Sequence, residues 1–189
     1  GENVDNSNIV RDDQTPPKTG QQGRRRTVMG GIERGRWSAE VPEGTVVFLI
    51  GMRVNRLGRP WSWGPVALAM AGMQRELATT ADLGLLAAHN FVGGRTTLSL
   101  QYWRTWDDLQ AYSRGDRHLP AWRAFNRRAR GNPDVGVYHE TSVLRSGQHE
   151  AVYVDMPRFG LGLATPLVPV GRQGDTSAER MVGPPGPLR

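Results

Sequence analysis

The amino-acid sequence predicts an α+β fold in β-α-β-β-α-β order, and three observations carry that reading. A β-branched apolar run opens the folded region, an apolar stripe of helical period follows it, and pairs of short alternating runs flank a second helix. Each element can be justified in turn.

"TVVFLIGMRV", Thr45 to Val54, is long enough for a buried strand and too short for a typical helix. "NRLGRPWSWG" follows as turn chemistry, punctuated by Gly58 and Pro60, with Trp61 and Trp63 as exposed or docking aromatics. From Pro65 to Thr80, Val66, Met70, Met73 and Leu77 recur at the spacing of one helical face, which predicts a helix with Met filling its core side. Gly84 to Phe91 reads as a second strand, and Arg95 to Trp103 as a third, joined across Gly93 and Gly94 in a hairpin. Thr105 followed by Asp108 is a capping-box-like start, and the helix it opens runs through Trp106, Leu109 and Tyr112. Gly115 interrupts this helix, and a second piece carries Trp122, Phe125 and Ala129 on one face. Val135 to Leu144 and Glu150 to Pro157 alternate as strands, with "RSGQ" between them as a hairpin turn.

This order is the ferredoxin-like plan: an antiparallel sheet with helices on one face. Its helix-free face must be covered, and two such sheets packed face to face form a dimeric α/β barrel. A homodimer is therefore expected. The flanks read differently. Residues 1 to 43 are polar and rich in Gly and Pro, too poor in apolar residues to offset the entropy of ordering, and are expected to form a flexible arm. Residues 44 to 157 are the expected domain, and 158 to 189 an extended tail with recurrent Gly and Pro.

The formal net charge of +6 is spread thinly. Residues 1 to 43 carry seven basic and seven acidic groups, 45 to 157 thirteen and nine, and the rest four and two. No segment is strongly basic, so nucleic acid ranks behind a small molecule as partner. The absence of Cys removes disulfides, thiolate nucleophiles and thiolate-held metals. No apolar run of about eighteen residues is present for a membrane span, and the expected location is cytoplasmic.

The stretches "VVFLIGMRVN", "LGLLAAHNFVGGRTTLSLQYWRTWDDLQAYSR", "HLPAWRAFNR", "DVGVYHET" and "EAVYVDMPRFGLG" together resemble a monooxygenase-like family of the dimeric α/β-barrel superfamily. The resemblance spans roughly Val41 to Gly171. It implies a ferredoxin-like homodimer related to antibiotic-biosynthesis monooxygenases, which let an electron-rich phenol react with oxygen without a metal or cofactor. The substrate so implied is an aromatic or polyketide-like product of secondary metabolism. It also implies an alternative cofactor, haem, in an aldoxime-dehydratase-like or oxidative enzyme. The haem-degrading branch uses an Asn on the first strand with a Trp and a His on the helix after the third; here Asn55 ends the first strand, Tyr112 stands near the Trp position, and His118 comes earlier in the chain than that His. A non-catalytic dimeric binding or assembly module is the reading from a different class, motivated by the long flanks and by Trp61 and Trp63.

The candidate catalytic residues are Arg53, His139 and His118. His139 alternates with Val137 and Thr141 on its strand, so it projects to one face, where it can take a phenolic proton while Arg53 holds the anion. His118 follows the Gly break and precedes Pro120, a capping or loop position. Trp103, Arg104, Gln101 and Tyr112 are the candidate substrate-binding residues, with Asp155 as a structural partner for Arg53. No pair of His has zinc-helix spacing, so no metal is expected.

Overall fold

The computed structural model describes residues 31–80, 82–114, 123, 127, 129–172, 174 and 176–181. Seven strands and a few helices follow one another as β1 (Glu33–Ala39), β2 (Val46–Val54), α1 (Pro60–Thr79), β3 (Leu85–Gly93), β4 (Thr96–Trp103), α2 (Trp106–Arg114), β5 (Val135–Val143), β6 (Val152–Met156), α3 (Leu161–Ala164), β7 (Leu167–Pro169) and α4 (Ser177–Met181). Arg123, Arg127 and Ala129 are helical, as the second piece after Gly115 predicts, while Gly115, His118, Trp122 and Phe125 lie outside the described residues.

The main sheet has the order β3-β4-β2-β5, with every neighbour antiparallel. Together with α1 and α2 it is the predicted ferredoxin-like arrangement. Strand β2 is central, with β4 on one edge and β5 on the other, and apart from Arg53 its run is apolar or glycine. Its register sets which side chains share a face: Phe48 stands opposite Gln101 and Thr141, Ile50 opposite Ser99 and His139. Val46, Phe48, Ile50 and Met52 lie under the helices, where Val66, Met70 and Met73 of α1 and Leu109 of α2 pack on them. The four-residue stripe read from the sequence is buried throughout.

Helix α1 begins at Pro60, five residues before the predicted start. Proline at the first helical position loses no hydrogen bond and presets φ, whereas Pro65 sits inside the helix and forfeits one bond. Trp61 and Trp63 thereby become helical. Trp61 is 74 % exposed, while Trp63 packs against the core and donates its indole N–H to the Leu57 carbonyl at 3.2 Å. Helix α2 is capped as predicted: the Asp108 amide donates to Thr105 Oγ1 at 3.1 Å, and the Thr105 hydroxyl donates to Asp108 Oδ2 at 2.9 Å. Trp106, the first residue of α2, is 44 % exposed and lies before the turn in which Leu109 is buried.

A second, three-stranded sheet has the order β6-β1-β7. The predicted β5–β6 hairpin is not formed. Strand β5 pairs with β2, whereas β6 pairs with β1, Trp37 standing opposite Tyr153. Alternation along a strand states which side chains share a face but not which sheet the strand joins. Strand β1 comes from the span read as an arm, and α3 and β7 from the span read as a tail. Ser38 and Ala39 are buried there at 1 % and 2 % exposure. Asp155 belongs to this second sheet and accepts from the Gly35 amide at 2.9 Å, so it is not the partner of Arg53.

Candidate functional site

Between the helices and the main sheet lies a cavity of about 80 Å³. Phe48, Ile50, Met73 and Leu109 make its apolar walls; Gln74, Gln101, Tyr112 and Ser113 are its polar groups. A second cavity, about 290 Å³, runs between α1 and strands β3 and β4 and shares Ile50, Met70 and Gln74 with the first. The larger approaches the lower end of the ~300–1,000 Å³ typical of small-molecule sites.

The floor of these cavities holds a directed chain of hydrogen bonds. Residues 99, 101 and 103 lie on the same face of β4 because alternate residues of a strand do. Trp103, fully buried, donates its indole N–H to Gln101 Oε1 at 3.0 Å. Gln101 Nε2 donates to Ser99 Oγ at 3.2 Å, and the Ser99 hydroxyl donates to Gln74 Oε1 at 3.0 Å, crossing from the sheet to α1. An indole N–H can only donate, so it fixes the orientation of the Gln101 amide, whose Nε2 donates to Ser99 Oγ while the Ser99 hydroxyl passes its own hydrogen to Gln74 Oε1. The Trp103 indole, both ends of the Gln101 amide, the Ser99 hydroxyl and Gln74 Oε1 are all partnered in this row.

Tyr112 stacks against Trp103 with ring centroids 5.2 Å apart. Burial, and then the charge of Glu76, push its phenol well above the ordinary value. It stays protonated at neutral pH and is no base.

The sequence-predicted candidates are dispersed by this geometry. Gln101 and Tyr112 line the first cavity. Trp103 stands behind Gln101 as its donor and packs with Val46, Leu77, Leu85 and Leu109. Arg104 points to solvent and forms a two-bond pair with Asp108, both at 2.9 Å, which holds that carboxyl below its usual range. Arg53 and His139 do not meet. His139 is opposite Ile50 and shares the helix-covered face, with its ring 6.0 Å from Phe48, but it is exposed on an edge strand. Arg53 is three residues from Ile50, hence on the opposite face, where it is exposed and donates to Thr96 Oγ1 at 3.4 Å. His118 lies outside the described residues.

Gln74 and Ser99 were not singled out from the sequence. A signal was present for Gln74: it falls four residues after Met70 and three before Leu77, inside the apolar stripe of α1. A glutamine at such a position must find a partner in the interior.

The helix-free face of the sheet is built differently. Tyr138 crosses Gly51 and donates to the Thr97 carbonyl at 3.2 Å. A Cβ on Gly51 would stand 2.1 Å from that carbonyl and 2.7 Å from the Tyr138 ring, so only glycine fits. His89 stacks on Phe159 with centroids 4.2 Å apart, and its Nε2 accepts from the Gly160 amide at 3.0 Å. Burial lowers the His89 pKa from its ordinary value. Among the described residues no histidine lines either cavity, and no three His, Cys, Asp or Glu gather as a metal site. A proximal histidine for a haem is therefore not among the described residues that line these cavities.

The class of protein is thus an α+β domain of the ferredoxin-like kind, with cavities between sheet and helices. Solved structures agree on the fold: aldoxime dehydratase OxdRE, crystallised with butyraldoxime, is similar with a TM-score of 0.59 at 15% identity, covering 74% of this chain and 42% of that one. SnoaB, a cofactor-independent oxygenase from Streptomyces nogalater, gives a TM-score of 0.40 at 12% identity, over 54% of this chain and 94% of that one. The sequence narrows the class. The profile of the monooxygenase af470-like family matches residues 45–161, and the chain belongs to that family. Monooxygenase af470 of Aspergillus fumigatus is 29% identical over 157 residues, which cover 71% of this chain and 55% of that protein. The chain thus spans about half the length of this curated relative.

Proposed function

We propose that the chain is a monooxygenase acting on a flat, largely apolar aromatic or polyketide-like metabolite held between the main sheet and α1 and α2, without an obligatory metal. The observation that carries this reading is the pair of apolar cavities bordered by one row of hydrogen-bonded polar side chains, Gln101, Ser99 and Gln74, with Trp103 behind it as the first donor. Such a row orients a ligand by its oxygen atoms while Phe48, Ile50 and Met73 hold its rings. Membership of a monooxygenase-like family supports the reaction class.

In the simplest reaction of this kind an anthrone methylene becomes a carbonyl. Dioxygen supplies the new oxygen atom, its second atom leaves as water with the two methylene hydrogens, and the substrate provides all the electrons. Oxygen uptake by the full chain with anthrone and related phenolic polyketides tests the proposal. Uptake above the spontaneous rate, with one product oxygen derived from dioxygen, is expected; no uptake across the panel would sink it.

The same reading includes a homodimer through the helix-free face. Val47, Leu49, Leu98 and Leu100 are only half-buried there, and Phe91 is 42 % exposed, a contiguous apolar surface that a second sheet would cover. Light scattering at micromolar concentration is expected to give twice the chain mass, and a monomer would count against it.

A further inference from the structure

Four polar side chains make a one-way line in the roofed face of the sheet, and the line ends at Gln74. Its origin is a group that can only donate, the Trp103 indole N–H. Each following residue accepts from the one before and donates to the next, so Gln74 receives a hydrogen at Oε1. The Gln74 amide is thereby pinned with its oxygen toward Ser99 and its Nε2 as the remaining polar end. Nε2 has no hydrogen-bond partner among the described residues, and Gln74 borders both cavities. A carboxamide in isolation offers an acceptor as readily as a donor; this one has its oxygen engaged by Ser99 and its N–H groups unengaged among the described residues.

We propose that Gln74 Nε2 is the recognition donor of the cavity and that its ligands carry a hydrogen-bond acceptor oxygen, an aromatic ketone or phenolate, on an otherwise apolar ring system. The inference rests on the proposed small-molecule role for the position of the substrate. Trp103, Gln101 and Ser99 are positioning residues: they touch no ligand through this contact but keep the Gln74 amide from turning over. A hydrocarbon of the same shape gives that N–H no acceptor, and a site built to hydrogen-bond its ligand rejects such an analogue.

The pair 1-tetralone and tetralin differs by that oxygen. Binding to the full chain, followed by quenching of tryptophan fluorescence, is expected to favour 1-tetralone about fivefold, the usual net worth of one neutral hydrogen bond. Gln74→Leu is expected to erase the preference while keeping or improving tetralin binding, because the leucine extends the apolar stripe. Ser99→Ala, which cuts the line with little change in volume, is expected to reduce the preference and leave tetralin affinity unchanged, an outcome that mere destabilisation would not produce. Equal binding of the two probes to the unaltered chain would overturn the proposal. So would a preference that survives in Gln74→Leu, or failure of both probes to bind at millimolar concentration. Binding needs no turnover, so the two readings fail separately: a ketone preference without oxygen uptake on any substrate defeats the monooxygenase, and uptake with a preference indifferent to Gln74 defeats this assignment.

Discussion

The two faces of the main sheet solve the same problem by different means. The helix-covered face has room left over, and it fills part of that room with a row of amides and a hydroxyl in which every bond has a direction. The opposite face has no room at all where Tyr138 lies on Gly51, and it closes its other end with the stack of His89 on Phe159. Space and directed polarity belong to a site; close contact and stacking belong to a seam. That difference is what sets the proposed site on the helix side.

The largest effect is expected from filling the tight face. Gly51→Val places new carbons within 2.1 Å of the Thr97 carbonyl and against the Tyr138 ring, a backbone clash that cannot relax by a rotamer change. A loss of about 3 kcal/mol in urea unfolding is expected, and a loss under 1 kcal/mol would mean that β2 and β4 can move apart there. The helix side alone is broken by Gln101→Leu, which leaves the Trp103 indole N–H and the Ser99 oxygen without their partner. About 2 kcal/mol is expected from the same measurement, with the urea dependence otherwise unchanged. A doubly altered chain carrying Trp103→Phe as well is expected to lose less than the two single losses together, because the orphaned donor is gone.

The smallest effect belongs to the other face and reads out against pH. The His89 pKa is lowered in the folded chain, so on acidification the unfolded chain takes up the proton first, near the ordinary 6.5. The contribution of His89 is complete above that value and is lost as pH falls from it toward the lower folded pKa. Protonation also ends acceptance from the Gly160 amide, since Nε2 then carries hydrogen. Unfolding midpoints between pH 8 and pH 5 are expected to decline through that window, and His89→Phe, which keeps the stack on Phe159, is expected to flatten the decline. An unchanged slope in His89→Phe would assign the titration elsewhere.

The elements of the main sheet and its helices were legible because their signals are local. An unbroken apolar run, a stripe at helical spacing and a Thr-to-Asp cap each depend on neighbours within a few residues. The second sheet was not legible. "ERGRWSA" has no alternating apolar face, and β1 becomes a strand only because β6 and β7 present edges to it. The candidate site was legible in part for the same reason. Gln101 and Tyr112 stood out as polar or aromatic residues in apolar patterns, but whether Arg53 and His139 share a face depends on the register between two strands. Alternation within each strand was read from the sequence; the parity between them was not, and a shift by one residue exchanges the faces.

The partners of β1 also set an order of assembly. Glu33 waits for Met156 and Trp37 for Pro169, whereas β3 and β4 meet across a two-residue turn. Closing a loop of that length is entropically costlier than closing a hairpin. On a ribosome, β1 leaves the tunnel before every other described strand, and it has no edge to join until β6 and β7 have followed it out. The earliest described strand to be synthesised is therefore among the last to be placed, and until then its unpaired backbone is open to whatever else passes.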